Sequence, residues 1–179
     1  CFRNGGGLPH SAFPRFHHVM AEDSLQSVVA VLETEILEMV PGLGEGLAEG
    51  LDVLDVGCGR GLAMMKLAER FPRCRVVGYD YSTEAIEWAR AEAKRRGLTN
   101  VRFQVVDAAA FDDRDAFDLI TTFDAIHDQA NPTALLANLR RALREGGVYL
   151  AMDTDTHTDP AANVGHPLGT LLYSISLCH

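Results

Sequence analysis

Apolar positions along the chain follow two rhythms. From Ser24 to Val40 they recur at Leu25, Val28, Val29, Leu32, Ile36 and Val40, the spacing of a helix with one buried face, and Pro41-Gly42 stops it. Beyond a glycine-rich linker the rhythm changes. Short, mostly apolar runs at Leu51–Val56, Arg75–Tyr79, Val101–Val106, Phe117–Thr122 and Val148–Met152 predict strands. Between them lie helical stretches at about Leu62–Arg70, Ser82–Arg96 and Pro132–Arg144. Local punctuation agrees. Ser82 can cap the second of these helices and Gly97 end it, Asn131-Pro132 is a cap followed by proline at the first helical position, and Gly146-Gly147 closes the third.

Strands apolar on both faces need helices on both sides, and helices between successive strands make those strands parallel. The expectation is therefore an α/β fold, a Rossmann-like three-layer sandwich with a parallel sheet in the order 3-2-1-4-5. After the fifth strand, Asp153 to Asn163 reads as a polar loop, and Leu168, Leu171, Leu172 and Ile175 return to helical spacing.

Composition narrows the class. The chain has 179 residues, 47% hydrophobic and 23% charged, the balance of one ordinary globular domain. No apolar run reaches the roughly 18 residues of a spanning helix. The opening Cys1-Phe2-Arg3-Asn4-Gly5-Gly6-Gly7 has neither an initiator Met nor the layout of a signal peptide, so the chain is expected to start inside a longer polypeptide. A formal charge of -9 repels a phosphate backbone and makes nucleic acid a poor partner. The basic run Lys94-Arg95-Arg96 stands where a helix ends and suits its dipole. Cys1, Cys58, Cys74 and Cys178 are scattered, which fits a reducing cytoplasm better than a zinc or redox site.

In open parallel sheets ligands bind beyond the carboxyl ends of the strands, where the strand order reverses. The first strand ends at such a point, in Asp55-Val56-Gly57-Cys58-Gly59-Arg60-Gly61. The three glycines let the backbone turn and approach a ligand, although a tight turn without a ligand would need them too. Asp80 ends the second strand, 19 residues after Gly61, where a carboxylate can accept from both hydroxyls of a ribose. Asp107 ends the third and could accept from an adenine amino group. A nicotinamide dinucleotide would use a similar floor, but its G-x-G-x-x-G places the third glycine one residue later. Asp55 also favours a cationic ligand over a diphosphate.

These residues resemble the class I S-adenosylmethionine-dependent methyltransferases, whose first motif is an acidic residue followed by Gly-x-Gly-x-Gly. The resemblance covers about residues 45 to 155. It continues in Val77-Gly78-Tyr79-Asp80-Tyr81-Ser82, Val105-Val106-Asp107-Ala108, Phe117-Asp118-Leu119-Ile120 and Leu139 to Gly147, where Glu145 replaces the usual proline. It implies S-adenosyl-L-methionine as cofactor, with Asp55, Gly57, Cys58, Gly59 and Gly61 toward the methionine part. Asp80, Tyr81 and Ser82 would hold the ribose side and Asp107 and Ala108 the adenine, with Phe123 beside the sulfonium. A narrower likeness, in Phe123 to Gln129, Pro14-Arg15-Phe16-His17 and His166-Pro167-Leu168-Gly169, is to members with an N-terminal winged-helix domain, absent here, through which a homodimer could form.

Methyl transfer from a sulfonium is an in-line displacement, so the protein mainly aligns the acceptor and excludes water. Phe123 to Gln129 follows the fourth strand, where the acceptor would sit. His127 is the candidate base for a hydroxyl acceptor, against the plainer reading of a hydrogen-bonded structural histidine. Asp124 and Asp128 would orient groups or cap the turn. Phe16 and His17, with Phe13 and Met20, are candidates for a lid over the substrate or for core packing. Asp153, Asp155, His157 and Asp159 alternate as metal ligands might, or form a solvated loop; no metal is expected.

The expected organisation is a helical segment over 1–44, a cofactor-binding core over 45–160 and the start of a truncated helical segment over 161–179. The resemblance implies seven strands, so the sixth and seventh would be missing, leaving the fifth at an uncovered edge and the chain a fragment that binds cofactor weakly. The expected activity is methyl transfer to a small-molecule acceptor, at oxygen, with no membrane partner. A non-catalytic S-adenosylmethionine sensor and a nicotinamide-dependent oxidoreductase are the alternatives.

Overall fold

The computed structural model describes residues 13, 15–155, 157, 159–167 and 169. The features placed on Cys1, Pro14, Leu168, Leu171, Leu172, Ile175 and Cys178 lie outside the described residues. In chain order the elements are α1 Phe16–Ser24, α2 Leu43–Glu49, β1 Asp52–Val56, α3 Leu62–Arg70, β2 Arg75–Asp80, α4 Thr83–Arg95, β3 Val101–Val105, β4 Phe117–Phe123, α5 Pro132–Ala142 and β5 Leu143–Met152.

The sheet is parallel throughout, in the order β3-β2-β1-β4-β5. This is the expected Rossmann-like architecture. Neighbouring apolar residues on each strand fall on opposite faces. Val53, Val76 and Leu119 join a core with Met64, Met65 and Leu67 of α3 and Ile86 and Ala89 of α4. Leu54, Val77 and Ile120 join another with Leu135 and Leu139 of α5. Leu54, Leu119 and Ile120 are fully buried, and truncating any one to Ala costs about 2–5 kcal/mol.

Three details differ from the sequence pattern. The helix expected over Ser24 to Val40 is instead two π-helical turns, Leu25–Val29 and Leu32–Ile36, and a 3-10 turn, Leu37–Met39. The Ala30 and Ile36 N–H groups reach carbonyls five residues back, Leu25 and Val31, at 3.1 Å each. Val28, Leu32 and Ile36 are all buried, and a repeat of four drifts off one face of a 3.6-residue helix while a wider turn keeps it aligned. The glycine-rich linker contains α2, because Leu43 and Leu47 are four apart and both bury. Finally, the third predicted helix ends at Ala142 rather than Arg144, and Gly146-Gly147 lies inside β5. Leu143 pairs with Phe117, an irregularity separates this pair from Leu119 and Val148, and Gly146 takes φ 77° within it. Arg144 is drawn to the carboxylates of Asp52 and Asp118, at 2.8 and 2.7 Å, at the amino end of the sheet.

Residues His17–Asp153 form one compact unit. The flanking residues form a second. In its described part a 3-10 turn, Pro160–Asn163, is capped by Asp159, whose Oδ1 accepts from the Ala161 N–H, and the Asn163 side chain bonds both the N–H and the carbonyl of His157. Among the described residues no helix is long and apolar enough to cross a membrane.

Candidate functional site

At the carboxyl end of β1 the chain turns through Gly57, Gly59 and Gly61, with φ of 80°, 52° and 69°. Packing dictates the outer two. A Cβ on Gly57 would lie 2.5 Å from the Ala125 methyl, and one on Gly61 would collide with the Phe103 ring. A Cβ on Gly59 would meet no heavy atom within 4 Å; left-handed backbone alone selects glycine there.

The loop's N–H groups are bound within the protein. Those of Gly57 and Cys58 donate to the Tyr79 carbonyl at 2.8 and 3.0 Å, and that of Gly61 to the Cys58 carbonyl at 2.8 Å. The Gly59 N–H donates to Asp80 Oδ2 at 2.8 Å, and the other oxygen of Asp80 accepts from the Ser82 N–H at 2.8 Å. Ser82 Oγ caps α4 by accepting from the Ala85 N–H and lies 2.9 Å from His17 Nε2. A continuous polar chain thus runs from the glycine loop through Asp80 and Ser82 to α1. Asp80 fixes the third strand too: its carbonyl accepts from the Val106 N–H at 2.9 Å. Asp107, next in sequence, is exposed and accepts from the Ala109 N–H, while the Ala108 carbonyl accepts from Asn138 of α5.

Asp55 turns into the sheet. It is 3% exposed, and its Oδ1 accepts from the hydroxyl of Thr121, its register partner on β4, at 2.8 Å. Burial pushes this carboxyl up to about 7; the Thr121 bond opposes the rise and the charge of Asp80 adds to it. Burial, followed by the charges of Asp55 and Asp80, also pushes the Cys58 thiol up, which makes it an unreactive side chain rather than a nucleophile.

The ends of β4 and β5 are built differently. Phe123 packs against the core from the last position of β4. Asp124 then takes φ 49° and donates its N–H to the Met152 carbonyl at 2.9 Å. Burial pushes its carboxyl up; the charges of Asp153, Asp23 and Asp128 add to this and His127 offsets it. The His127 ring is bracketed, Nδ1 lying 2.5 Å from Asp153 Oδ1 and Nε2 3.2 Å from Asp128 Oδ1. Its backbone N–H donates to the other oxygen of Asp153. Partial burial and the charges of Asp80 and Asp128 push up the Tyr81 phenol, so the ends of β2 and β4 face common ground.

Of the residues singled out from sequence, the structure thus brings together Asp55, the glycine loop, Asp80, Tyr81, Ser82 and His17 on one side and Asp124, His127 and Asp128 on the other. Phe16 starts α1 and donates its N–H to the Phe13 carbonyl within the flanking unit. Among the described residues no group of three or more His, Cys, Asp or Glu side chains is placed to hold a metal ion, and Asp153 is engaged with His127. Sequence reasoning missed the role of Asp153 beside His127, and also Thr121 and Asp23. The strand-end rule that picks out Asp80 and Asp107 applies equally to Asp153, which follows β5 directly.

Residues 47–166 match a family model described as a methyltransferase domain. The uncharacterized methyltransferase YcgJ of Bacillus subtilis (strain 168) is 32% identical over 110 residues, covering 60% of this chain and 42% of that protein. Its crystal structure aligns with a TM-score of 0.59 at 30% identity, over 69% of this chain and 53% of that one. A trans-aconitate 2-methyltransferase of Variovorax paradoxus (strain S110) is 35% identical over 127 residues, covering 70% of this chain and 45% of the relative. The (S)-coclaurine N-methyltransferase of Papaver somniferum is 28% identical over 102 residues, covering 57% and 29%. The chain spans less than half the length of these curated relatives.

Proposed function

Since the chain belongs to the class I S-adenosylmethionine-dependent methyltransferases, we propose that it holds S-adenosylmethionine over the carboxyl ends of β1, β2 and β3. A small-molecule acceptor would then receive the methyl group at the ends of β4 and β5. The observation that carries this reading is the clasp between Asp80 and the glycine loop. Each Asp80 oxygen accepts one backbone N–H, and a carboxylate oxygen has a second lone pair, so the side chain fixes the loop and still accepts from both ribose hydroxyls. Asp107 and Ala108 border the adenine, Gly57 to Gly61 the methionine part, and Phe123 the reacting centre. The nicotinamide reading is weakened by the same bonds, because the N–H groups of Gly57, Cys58, Gly59 and Gly61 are spent within the protein and have little to offer a pyrophosphate.

When bound, the cofactor supplies an electrophilic methyl group on a positively charged sulfur. The protein then aligns the acceptor with that methyl and takes the acceptor's proton. In this reading His127 takes that proton, with Asp153 against its Nδ1; Asp128 must release Nε2 for the ring to accept. The proposed acceptor atom is oxygen.

A second reading, an amine acceptor, is favoured by the carboxylates of Asp23, Asp124, Asp128 and Asp153 that bear on one another beside His127. Such a rim attracts an ammonium group. A radiolabelled-methyl screen of hydroxyl and amine acceptors with the full-length protein tests both readings, since transfer to only one class decides between them. Calorimetric binding of NAD but not of S-adenosylmethionine would overturn both.

A further inference from the structure

Arg60 occupies the middle of the glycine loop and is the only Lys or Arg among residues 55–61, 80–82, 107–108 and 123–128. Its guanidinium carbon lies over the ring of Trp88, on α4, at 4.9 Å from the ring centroid. Its Nε is buried and has no hydrogen-bond partner among the described residues, and no ion pair is made by the side chain within them. Every other feature around the loop answers to the fold. The flanking N–H groups are bonded, Asp80 is clasped and Asp55 is held by Thr121. A buried guanidinium donor without an acceptor is costly in a folded protein.

The geometry of stacking sharpens the point. A cation–π contact uses the face of the guanidinium and leaves the in-plane N–H fork for a planar anion. At the preceding Gly59 a Cβ would meet no heavy atom within 4 Å apart from its own chain neighbours. The carboxylate of Asp80, which holds the Gly59 N–H, suits the positive groups of S-adenosylmethionine but repels the carboxylate at its amino-acid end. A zwitterionic ligand held among acids needs a cation for its anionic group.

We propose that Arg60, held against Trp88, binds the carboxylate of the cofactor's methionine moiety. This assignment rests on the cofactor reading above and adds a binding residue to it.

The test is calorimetric titration of the full chain with S-adenosylhomocysteine and with its decarboxylated analogue, which differ only in that carboxylate. The wild type is expected to bind S-adenosylhomocysteine at least tenfold more tightly than the analogue. Arg60→Gln should weaken S-adenosylhomocysteine binding tenfold or more and leave the analogue within twofold, and Arg60→Lys should retain part of the preference. Because Trp88 is the only tryptophan, its emission should shift with S-adenosylhomocysteine and stay unchanged with the analogue. Equal weakening of both ligands in Arg60→Gln, or no preference in the wild type, overturns the assignment. Failure of the folded wild type to bind either ligand overturns the cofactor reading, and Arg60's role with it.

Discussion

The two ends of the carboxyl edge of the sheet solve opposite problems. At β1 and β2 the backbone is locked: the outer glycines are boxed by Ala125 and Phe103, four loop N–H groups are bonded inside the protein, and Asp80 and Ser82 carry the bonding on to His17. At β4 and β5 the chain passes through a left-handed aspartate into carboxylates gathered about one half-exposed histidine. The first end is preorganised by packing and by backbone hydrogen bonds, two of them to the Asp80 carboxylate. The second is held by charges that repel one another and by a single imidazole, so it can be remodelled at little cost to folding. A common cofactor with variable acceptors asks for that division.

The largest expected effect lies at the locked end and depends on pH. Burial raises Asp55 from the ordinary 3.8 to about 7 in the folded chain. Between those values the folded state keeps a proton that the unfolded state has lost. Stability therefore declines as pH rises from about 4 through 7, by as much as roughly 4 kcal/mol in total. Asp55→Asn can still accept from Thr121 and has no such titration. The difference between the two proteins in urea unfolding should therefore grow in favour of the variant from pH 5 to 8. Parallel pH profiles would show that Asp55 is no more constrained than the acids of the other end.

Next come the glycines. Gly61→Ala combines left-handed backbone at a residue with a side chain and collision with Phe103, together about 3 kcal/mol. Gly59→Ala meets no neighbour and should cost only about 1 kcal/mol, yet it places a methyl where the proposed ligand approaches. Its unfolding midpoint should stay close to wild type while S-adenosylhomocysteine affinity falls at least tenfold. Equal losses of stability in the two variants would break the distinction between packed and ligand-facing glycines. For Asp80→Asn the expected loss of stability is smaller than that of Gly61→Ala. Its amide must present an NH2 to one of the two backbone donors that Asp80 now satisfies, costing about 1–2 kcal/mol, measurable as a lowered melting temperature.

The same division explains what the sequence made legible. Gly57, Gly59, Gly61 and Asp80 signal themselves because their tasks are local: a turn, a strand end, a fixed distance to the next strand. The three central strands are readable because Val53-Leu54, Val76-Val77 and Leu119-Ile120 each serve both faces of the sheet. The pairing of His127 with Asp153 is not local. It joins residues beyond the carboxyl ends of neighbouring strands, 26 positions apart, and only the register of β4 with β5 brings them together. The π-helical turns over Leu25 to Ile36 depend on how Val28, Leu32 and Ile36 meet α3 and the sheet, and periodicity alone reports helix.

His127 and Asp153 should matter least for folding. The His127 side chain is 42% exposed and its partners are half-buried carboxylates, so His127→Ala and Asp153→Asn should each change stability by no more than about 0.5 kcal/mol. If the ring accepts the acceptor's proton, His127→Ala lowers kcat by about a hundredfold or more and leaves S-adenosylhomocysteine affinity intact. Asp153→Asn, which keeps a hydrogen-bonding side chain beside Nδ1 without the charge, should fall between that variant and wild type and shift the acidic limb of the pH-rate profile. A drop in melting temperature with unchanged kcat would give both residues back to the fold. The open end of the sheet would then differ from the locked end in exposure alone.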